Sequence, residues 1–481
     1  MRKFEARECQ KPIINLMLNN KRANIFASPG TGKTSATLSA LTMLDAIDGD
    51  VFPALVVAPL RVANVVWESE IQTWKQFSHL KVSKILGSAK ERKQAIYKKA
   101  DIYLINYENL EWLDKTLENW TFNTCVCDES TKIKSHRVSL NKKKDGTKFL
   151  RVGGAKNARA LVKHLHNFKR WYNLTGTPTP NGIQDIWGQQ FAIDGGKALG
   201  RNYTAFIDRF FRLSPGSDPR FKKYEPMPGS EDEITSLISN KSVVVDAYDY
   251  FDITKPLELD LHFSLDPNSK KIYEQMEKFA IAEIENGTLP IEVMAKNGGS
   301  KLMKCRQIAS GYLRDEDGNW NNLHCEKIKV LKEIVDSINA PVLVAYYFQK
   351  DLEEIMKAFP KAVVMPTGKW QQKVVKDWND GKIEMLLISP QSAGHGLSLQ
   401  HGGNNLVIYT MDWNAEYYEQ VIERLGPTRQ AQSGYKRLVY VHRIIAKGTW
   451  DEDIADALKN KRKVSEAVKK AIDSKRKKGR A

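Results

Sequence analysis

The chain has 481 residues, with 74 Lys or Arg against 57 Asp or Glu, and five cysteines. That length supports two or three domains with proper cores, and no run approaches the ~20 apolar residues that cross a bilayer. No apolar stretch with a small-residue cleavage site follows the basic N-terminus, so a secretory signal is not expected; Cys9, Cys125, Cys127, Cys305 and Cys325 form no zinc-like pair of pairs.

Asn24–Ala27 reads as the first strand. It leads into Ser28-Pro29-Gly30-Thr31-Gly32-Lys33-Thr34, and a helical run, Ser35–Leu44, follows. Strand, Gly-rich turn and helix are the setting that a phosphate loop requires. The glycines let successive backbone N–H groups turn toward phosphate oxygens, and the helix adds its positive end. Pro29, Gly30, Thr31 and Gly32 are therefore candidate ATP contacts. Lys33 would reach the β and γ phosphates, and the Thr34 hydroxyl would sit on Mg²⁺. Ala27 stands where the general pattern has its first glycine.

Ala54–Ala58, Asp101–Asn106 and Thr124–Cys127 are the next strands. The last delivers two carboxylates at its end. Asp128 is a candidate Mg²⁺ ligand, and Glu129 is the candidate base that orients and deprotonates water. Cys125 and Cys127 alternate with Val126, as core residues of a strand do. From Lys132 to Arg170 there are thirteen Lys or Arg against one acid, Asp145, and from Lys461 to Ala481 ten against two. These zones carry more than the whole net charge of +17, which suggests a footprint for a polyanion; a solvated surface and a loose tail are the alternative.

Tyr172–Leu174 leads into Thr175-Gly176-Thr177-Pro178, and Trp171 and Tyr172 read as core residues rather than base-stacking platforms. Strands alternating with helices imply a largely parallel sheet, placing a first lobe at 1–185. A more helical insertion, 186–324, includes an exposed-loop candidate at Leu213–Gly229. Pro341–Ala345, Ala362–Met365, Met385–Ser389, Leu406–Tyr409 and Arg437–Val441 are further strands, with helices at Lys327–Ile338 and Asp351–Ala358. They make a second α/β lobe, 325–460, before a basic tail, 461–481, read as a short helix or none.

Taken in order, these motifs resemble a superfamily 2 helicase of the SWI/SNF-type branch of DNA-dependent ATPases, from Arg7 to about Ile454, closest to compact phage or prokaryotic members. The resemblance makes Gln10 the adenine-reading glutamine. Ala58-Pro59-Leu60 takes the place of the motif touching the nucleic-acid backbone, Asp128-Glu129-Ser130-Thr131 the DEAH-like position, and Leu174–Pro178 the motif coupling hydrolysis to lobe movement. In the second lobe Ser392-Ala393-Gly394-His395-Gly396-Leu397-Ser398-Leu399 resembles the family's Gly-rich motif, with Gly396 as a nucleotide contact; His395 replaces a usual glycine and Ser398 a usual asparagine. Asp412-Trp413-Asn414 and Gln420–Gln430 resemble the arginine-finger region. Arg424 aligns with the first family arginine. The second position falls on Pro427, and Arg429 two residues later is its substitute through a turn reset at Gly426-Pro427.

The implied fold is α/β, two RecA-like parallel-sheet lobes with a mainly helical insertion and a basic C-terminal tail. The implied function is an ATP-dependent translocase or remodelling ATPase on duplex DNA, with Glu129, Lys33, Arg424 and Arg429 catalytic and ATP and Mg²⁺ as cofactors. A strand-separating or branch-migrating helicase and a non-motor ATP-gated clamp are the alternatives. The expected partner is double-stranded DNA without membrane association. The expected setting is a bacterial or phage-infected cytoplasm, and the expected assembly a monomer.

Overall fold

The computed structural model describes residues 1–142, 148–215, 224–285, 301–315, 317–390 and 397–478. The chain forms two compact units: Met1–Leu213 with Tyr224–Phe251 and Lys463–Ala481, and Ser214–Lys223 with Asp252–Arg462. No described helix is long and apolar enough to cross a membrane.

The first unit is built on a seven-stranded sheet. From edge to edge it runs Ser242–Val245, Arg22–Ala27, Arg170–Thr175, Thr124–Asp128, Ala54–Ala58, Ile102–Asn106 and Val82–Ile85. Every neighbouring pair is parallel. Strands buried on both faces read as near-continuous apolar runs, and Ala54–Ala58 and Ile102–Asn106 are buried at every residue. Alternation still sorts side chains between the faces: Cys125 and Cys127 pack in a cluster with Leu55, Val57 and Trp171, while Val126 joins Ile25, Val56 and Leu174. Trp171 and Tyr172 are fully buried, as core residues.

This order puts the Arg170–Thr175 strand between the strand entering the phosphate loop and the strand ending in the acid pair. Polar ties fix that neighbourhood. The Asn173 carboxamide donates to Asn24 Oδ1 at 2.9 Å, and Asn24 donates to Gln190 Oε1 at 2.8 Å, all three residues being buried. Arg170, 1% exposed, pairs with Asp48 at the end of the Lys33–Asp48 helix and with Asp50. It therefore serves the fold rather than the basic footprint in which the sequence counts it. The sequence reading also misses Val82–Ile85 and Ser242–Val245; the latter lies in the presumed insertion yet completes this sheet.

The second unit has a six-stranded parallel sheet in the order Leu257–Phe263, Tyr440–Ala446, Asn405–Ile408, Val342–Ala345, Met385–Ile388 and Val363–Val364. Leu257–Phe263, again from the presumed insertion, forms a largely exposed edge that becomes buried only at Phe263. Asp260 stands opposite Arg443 on the next strand and accepts from its guanidinium at 2.6 and 2.8 Å, a cross-strand pair that fixes register. The strand expected at Arg437–Val441 begins instead at Tyr440, and upstream of it the Arg437 guanidinium donates to Gln400 O and Gln430 Oε1. Deep in the unit Lys327 lies 3.3 Å from Asp451, both side chains 1% exposed, and also donates to Ser310 and Thr410.

The tail is helical, one of the two readings that the sequence leaves open, but it is the end of a single long helix, Trp450–Lys478, rather than a short one. Within the first unit, Val468 and Ile472 are buried in a cluster that includes Phe206, Phe210, Ile234 and Ile238. Their four-residue spacing places them on one helical face, so lysines and apolar residues share this segment on different sides.

Candidate nucleotide site

In the first unit the Arg22–Ala27 strand breaks into a tight turn because Gly30 and Gly32 take left-handed conformations, at φ 81° and 80°. The left-handed backbone favours glycine at position 32, and any other residue would also have to displace two side-chain ends. A β-carbon there would meet the Gln10 amide nitrogen at 2.3 Å and the Arg7 guanidinium at 2.6 Å. Thr31 is buried and closes the turn by donating to Ser28 O at 2.7 Å. The Lys33–Asp48 helix then begins, with Thr34 in its first turn. Lys33 Nζ donates to Ala27 O at 2.7 Å, folding the ammonium back over the loop. Gln10 is 1% exposed; its amide nitrogen donates to Gly32 O at 3.1 Å and Ser35 Oγ at 3.0 Å, and its oxygen accepts from Arg7 N. The glutamine assigned to adenine thus braces the phosphate loop in this structure.

Asp128 and Glu129 sit where the acid strand ends. Burial pushes both carboxyls above their ordinary range, and the Lys33 ammonium pulls both back. The structure therefore brings the loop lysine and the acid pair into one electrostatic group. Asp128 Oδ2 accepts from the Trp67 indole N–H at 2.9 Å. Glu129 Oε1 accepts from Thr175 Oγ1 at 2.6 Å. Thr175 ends the strand between loop and acid pair, and Gly176 packs close to Pro29: a β-carbon on it would lie 3.2 Å from Pro29 Cδ. Loop, acid pair and Thr175-Gly176-Thr177 segment thus meet outside the carboxyl ends of adjacent parallel strands, the usual ligand position in such sheets.

Three supporting residues escape the sequence reading. Trp67 follows a single π-helical turn, Val62–Val66, and is fully buried; such turns cluster at functional sites. Leu60, just before it, is 55% exposed, a surface position. Tyr107 directs its hydroxyl at the carbonyls of Asp128 and Glu129. Gln189 accepts from Ser130 Oγ at 2.8 Å and donates to Pro178 O at 2.7 Å, linking the segments after the acid pair and after Thr175. The one available signal was position, since Tyr107 directly follows a strand's carboxyl end.

In the second unit Arg424 lies in the last turn of the Ala415–Leu425 helix and is 4% exposed. Gly426 breaks the helix, Pro427 starts the next one, Pro427–Gln432, and Arg429 falls in it. The turn reset expected at Gly426-Pro427 is present. Arg429 donates to Ser398 Oγ at 2.7 Å, and burial lowers its pKa. The finger segment and the end of the Gly-rich motif therefore meet at Ser398. Gly396, with Ser392, Ala393, Gly394 and His395, lies outside the described residues.

Comparison with known proteins adds the following. The SNF2-related domain model matches residues 10–191, and the helicase conserved C-terminal domain model matches residues 326–428. Protein p41 of Acyrthosiphon pisum secondary endosymbiont phage 1 is 40% identical over 99% of this chain and 100% of its own length. The ATP-dependent helicase MG018 of Mycoplasma genitalium is 24% identical over 95% of this chain and 41% of its own. The RAD54-like DNA repair and recombination protein of Gallus gallus is 23% identical over 91% of this chain and 63% of its own. The chain thus spans the phage protein whole but less than two thirds of those two larger relatives. The solved Sulfolobus solfataricus SWI2/SNF2 ATPase core in complex with duplex DNA aligns at TM-score 0.43 and 20% identity, covering 98% of this chain and 94% of that one.

Proposed function

Because this chain belongs to the SNF2-related family of helicase-like ATP hydrolases, we propose that it couples ATP hydrolysis to movement along duplex DNA. The observation that carries the hydrolytic half is Glu129: a half-buried carboxylate, held by Thr175 and facing the charge of Lys33. Burial strengthens it as a base, and the lysine keeps it ionised for the task. A site that only held ATP would have no use for a second, separately positioned carboxylate beside Asp128.

In this reading the glycine turn and the start of the Lys33–Asp48 helix cradle the phosphates. Lys33 leaves Ala27 O for the β and γ oxygens, and Glu129 takes the proton of the attacking water. Thr34 and Asp128 offer hydroxyl and carboxylate oxygens, the hard donors that Mg²⁺ accepts. Bound there, Mg²⁺ would neutralise charge on the transferring phosphate. Gln10, already on the loop, would read adenine. Arg424 and Arg429 offer guanidinium groups suited to charge-assisted contact with a terminal phosphate.

The Thr175 bond suggests how hydrolysis reaches the rest of the molecule. Thr175 touches the base, and the next residue, Gly176, packs beside the phosphate-loop proline. A change at the γ phosphate therefore has a short physical route into the following segment, which Gln189 ties to Ser130. Exposed Lys156 and Arg159 are candidate backbone contacts, suited to binding that is independent of base sequence.

Steady-state ATPase rates with no nucleic acid, duplex DNA, single-stranded DNA and RNA test the proposal. Duplex DNA is expected to raise turnover most, by about tenfold or more, with the effect weakening as salt rises. Equal rates in all four conditions, or stimulation by RNA alone, would remove duplex DNA as the track.

A further inference from the structure

Glu129 is the one non-glycine among the described residues with a left-handed backbone, at φ 65°. A side chain in that conformation crowds its own backbone, so the conformation persists only where neighbours impose it. Two holds come from the adjacent strand. Glu129 N donates to Leu174 O at 2.8 Å, and Thr175 Oγ1 donates to the carboxylate.

A third hold comes from the opposite side of the acid strand. Tyr107 follows the Ile102–Asn106 strand, two places away across Ala54–Ala58. Its hydroxyl lies 2.9 Å from the Asp128 carbonyl oxygen and 3.2 Å from that of Glu129. One hydroxyl has one proton, so the Asp128 carbonyl is its main acceptor and the Glu129 carbonyl shares it. The tyrosine is 2% exposed and packs in the cluster of Ile105, Leu110 and Cys127, which restricts the ring. Its hydroxyl therefore grips both peptide oxygens of the turn that aims the base.

We propose that Tyr107 is a positioning residue for ATP hydrolysis, its hydroxyl holding the Asp128–Glu129 turn so that the Glu129 carboxylate faces the attacking water. It acts through Glu129 and touches no nucleotide, so the inference rests on the reading of Glu129 as the base.

Tyr107→Phe removes one oxygen and keeps the ring. Turnover is expected to fall about tenfold, the scale of one hydrogen bond's worth of aim. KM for ATP, affinity for a non-hydrolysable ATP analogue and thermal midpoint should stay near their wild-type values. Adding Tyr107→Phe to Glu129→Gln should cost no further single-turnover rate, because residues acting as one unit are not additive. Wild-type turnover in Tyr107→Phe would overturn the inference. So would analogue binding or melting temperature falling in step with the rate, or a further tenfold loss in the double variant. Those results leave the base assignment standing if Glu129→Gln alone is inactive; a wild-type rate in Glu129→Gln sinks both.

Discussion

His136, a few residues beyond the acid pair, shows what the surroundings of this site demand of a single side chain. The ring is fully buried against Trp187 and Phe191, and Nδ1 lies 2.7 Å from Ile133 O. Burial drives its pKa from 6.5 down to about 4. The unfolded chain therefore takes up a proton as pH falls through 6.5, while the folded chain refuses it until about 4. The stability this neutral ring contributes is complete above pH 6.5 and is lost as pH falls toward 4. Between pH 7 and pH 5 the loss should be about 2 kcal/mol. Urea denaturation at the two pH values, compared with His136→Asn, reads it; an equal pH response in the two proteins would show that the ring does not stay neutral. The same burial acts on the acid pair with the opposite chemical result, raising carboxyls where it lowers an imidazole. Much of the site was legible at this scale because its residues fall in two short runs, Gly30, Gly32, Lys33 and Thr34 in one and Asp128 and Glu129 in the other. Trp67 and Tyr107 were not, since their partners lie 61 and 21 residues away, and only the sheet order brings them together.

At the scale of elements, the strands that were legible are the apolar ones, such as Ala54–Ala58, expected with the boundaries observed. Those missed have a common cause. Val82–Ile85 and Leu257–Phe263 are edge strands, the first half-buried in alternation and the second largely exposed, each a weaker pattern than a buried run. Ser242–Val245 is apolar, but nothing local says that it returns to a strand more than two hundred residues earlier in the chain. The terminal helix shows the same limit. Its lysines suggested a solvated arm, whereas Val468 and Ile472 are buried in the first unit. Ile472→Ala should therefore destabilise the protein by about 2–5 kcal/mol, while Lys470→Ala, at an exposed position, should change stability by less than about 0.5 kcal/mol. Denaturant midpoints for the two variants check this; equal, small effects would mean that the helix end is a loose tail after all.

For the whole molecule, net charge overstated the free basic surface. Arg170 is spent on Asp48 and Asp50, Lys134 pairs with Asp185 at 2.8 Å, and Arg137 stacks 3.6 Å from the Tyr203 ring centre. A charge count from sequence sees none of these pairings. What survives is a basic protein with the phosphate loop and the acid pair brought together in one unit and two arginines on either side of a helix break in the other. If the proposed function holds, turnover at the loop and acid pair drives motion along a duplex. A triplex-displacement assay tests it most directly: a third strand bound to duplex DNA is released when a motor passes beneath it, without separation of the duplex strands. The wild-type protein with ATP should release the third strand, and Glu129→Gln should not. Release that persists in Glu129→Gln, or brisk DNA-stimulated hydrolysis that leaves the triplex intact, would contradict it.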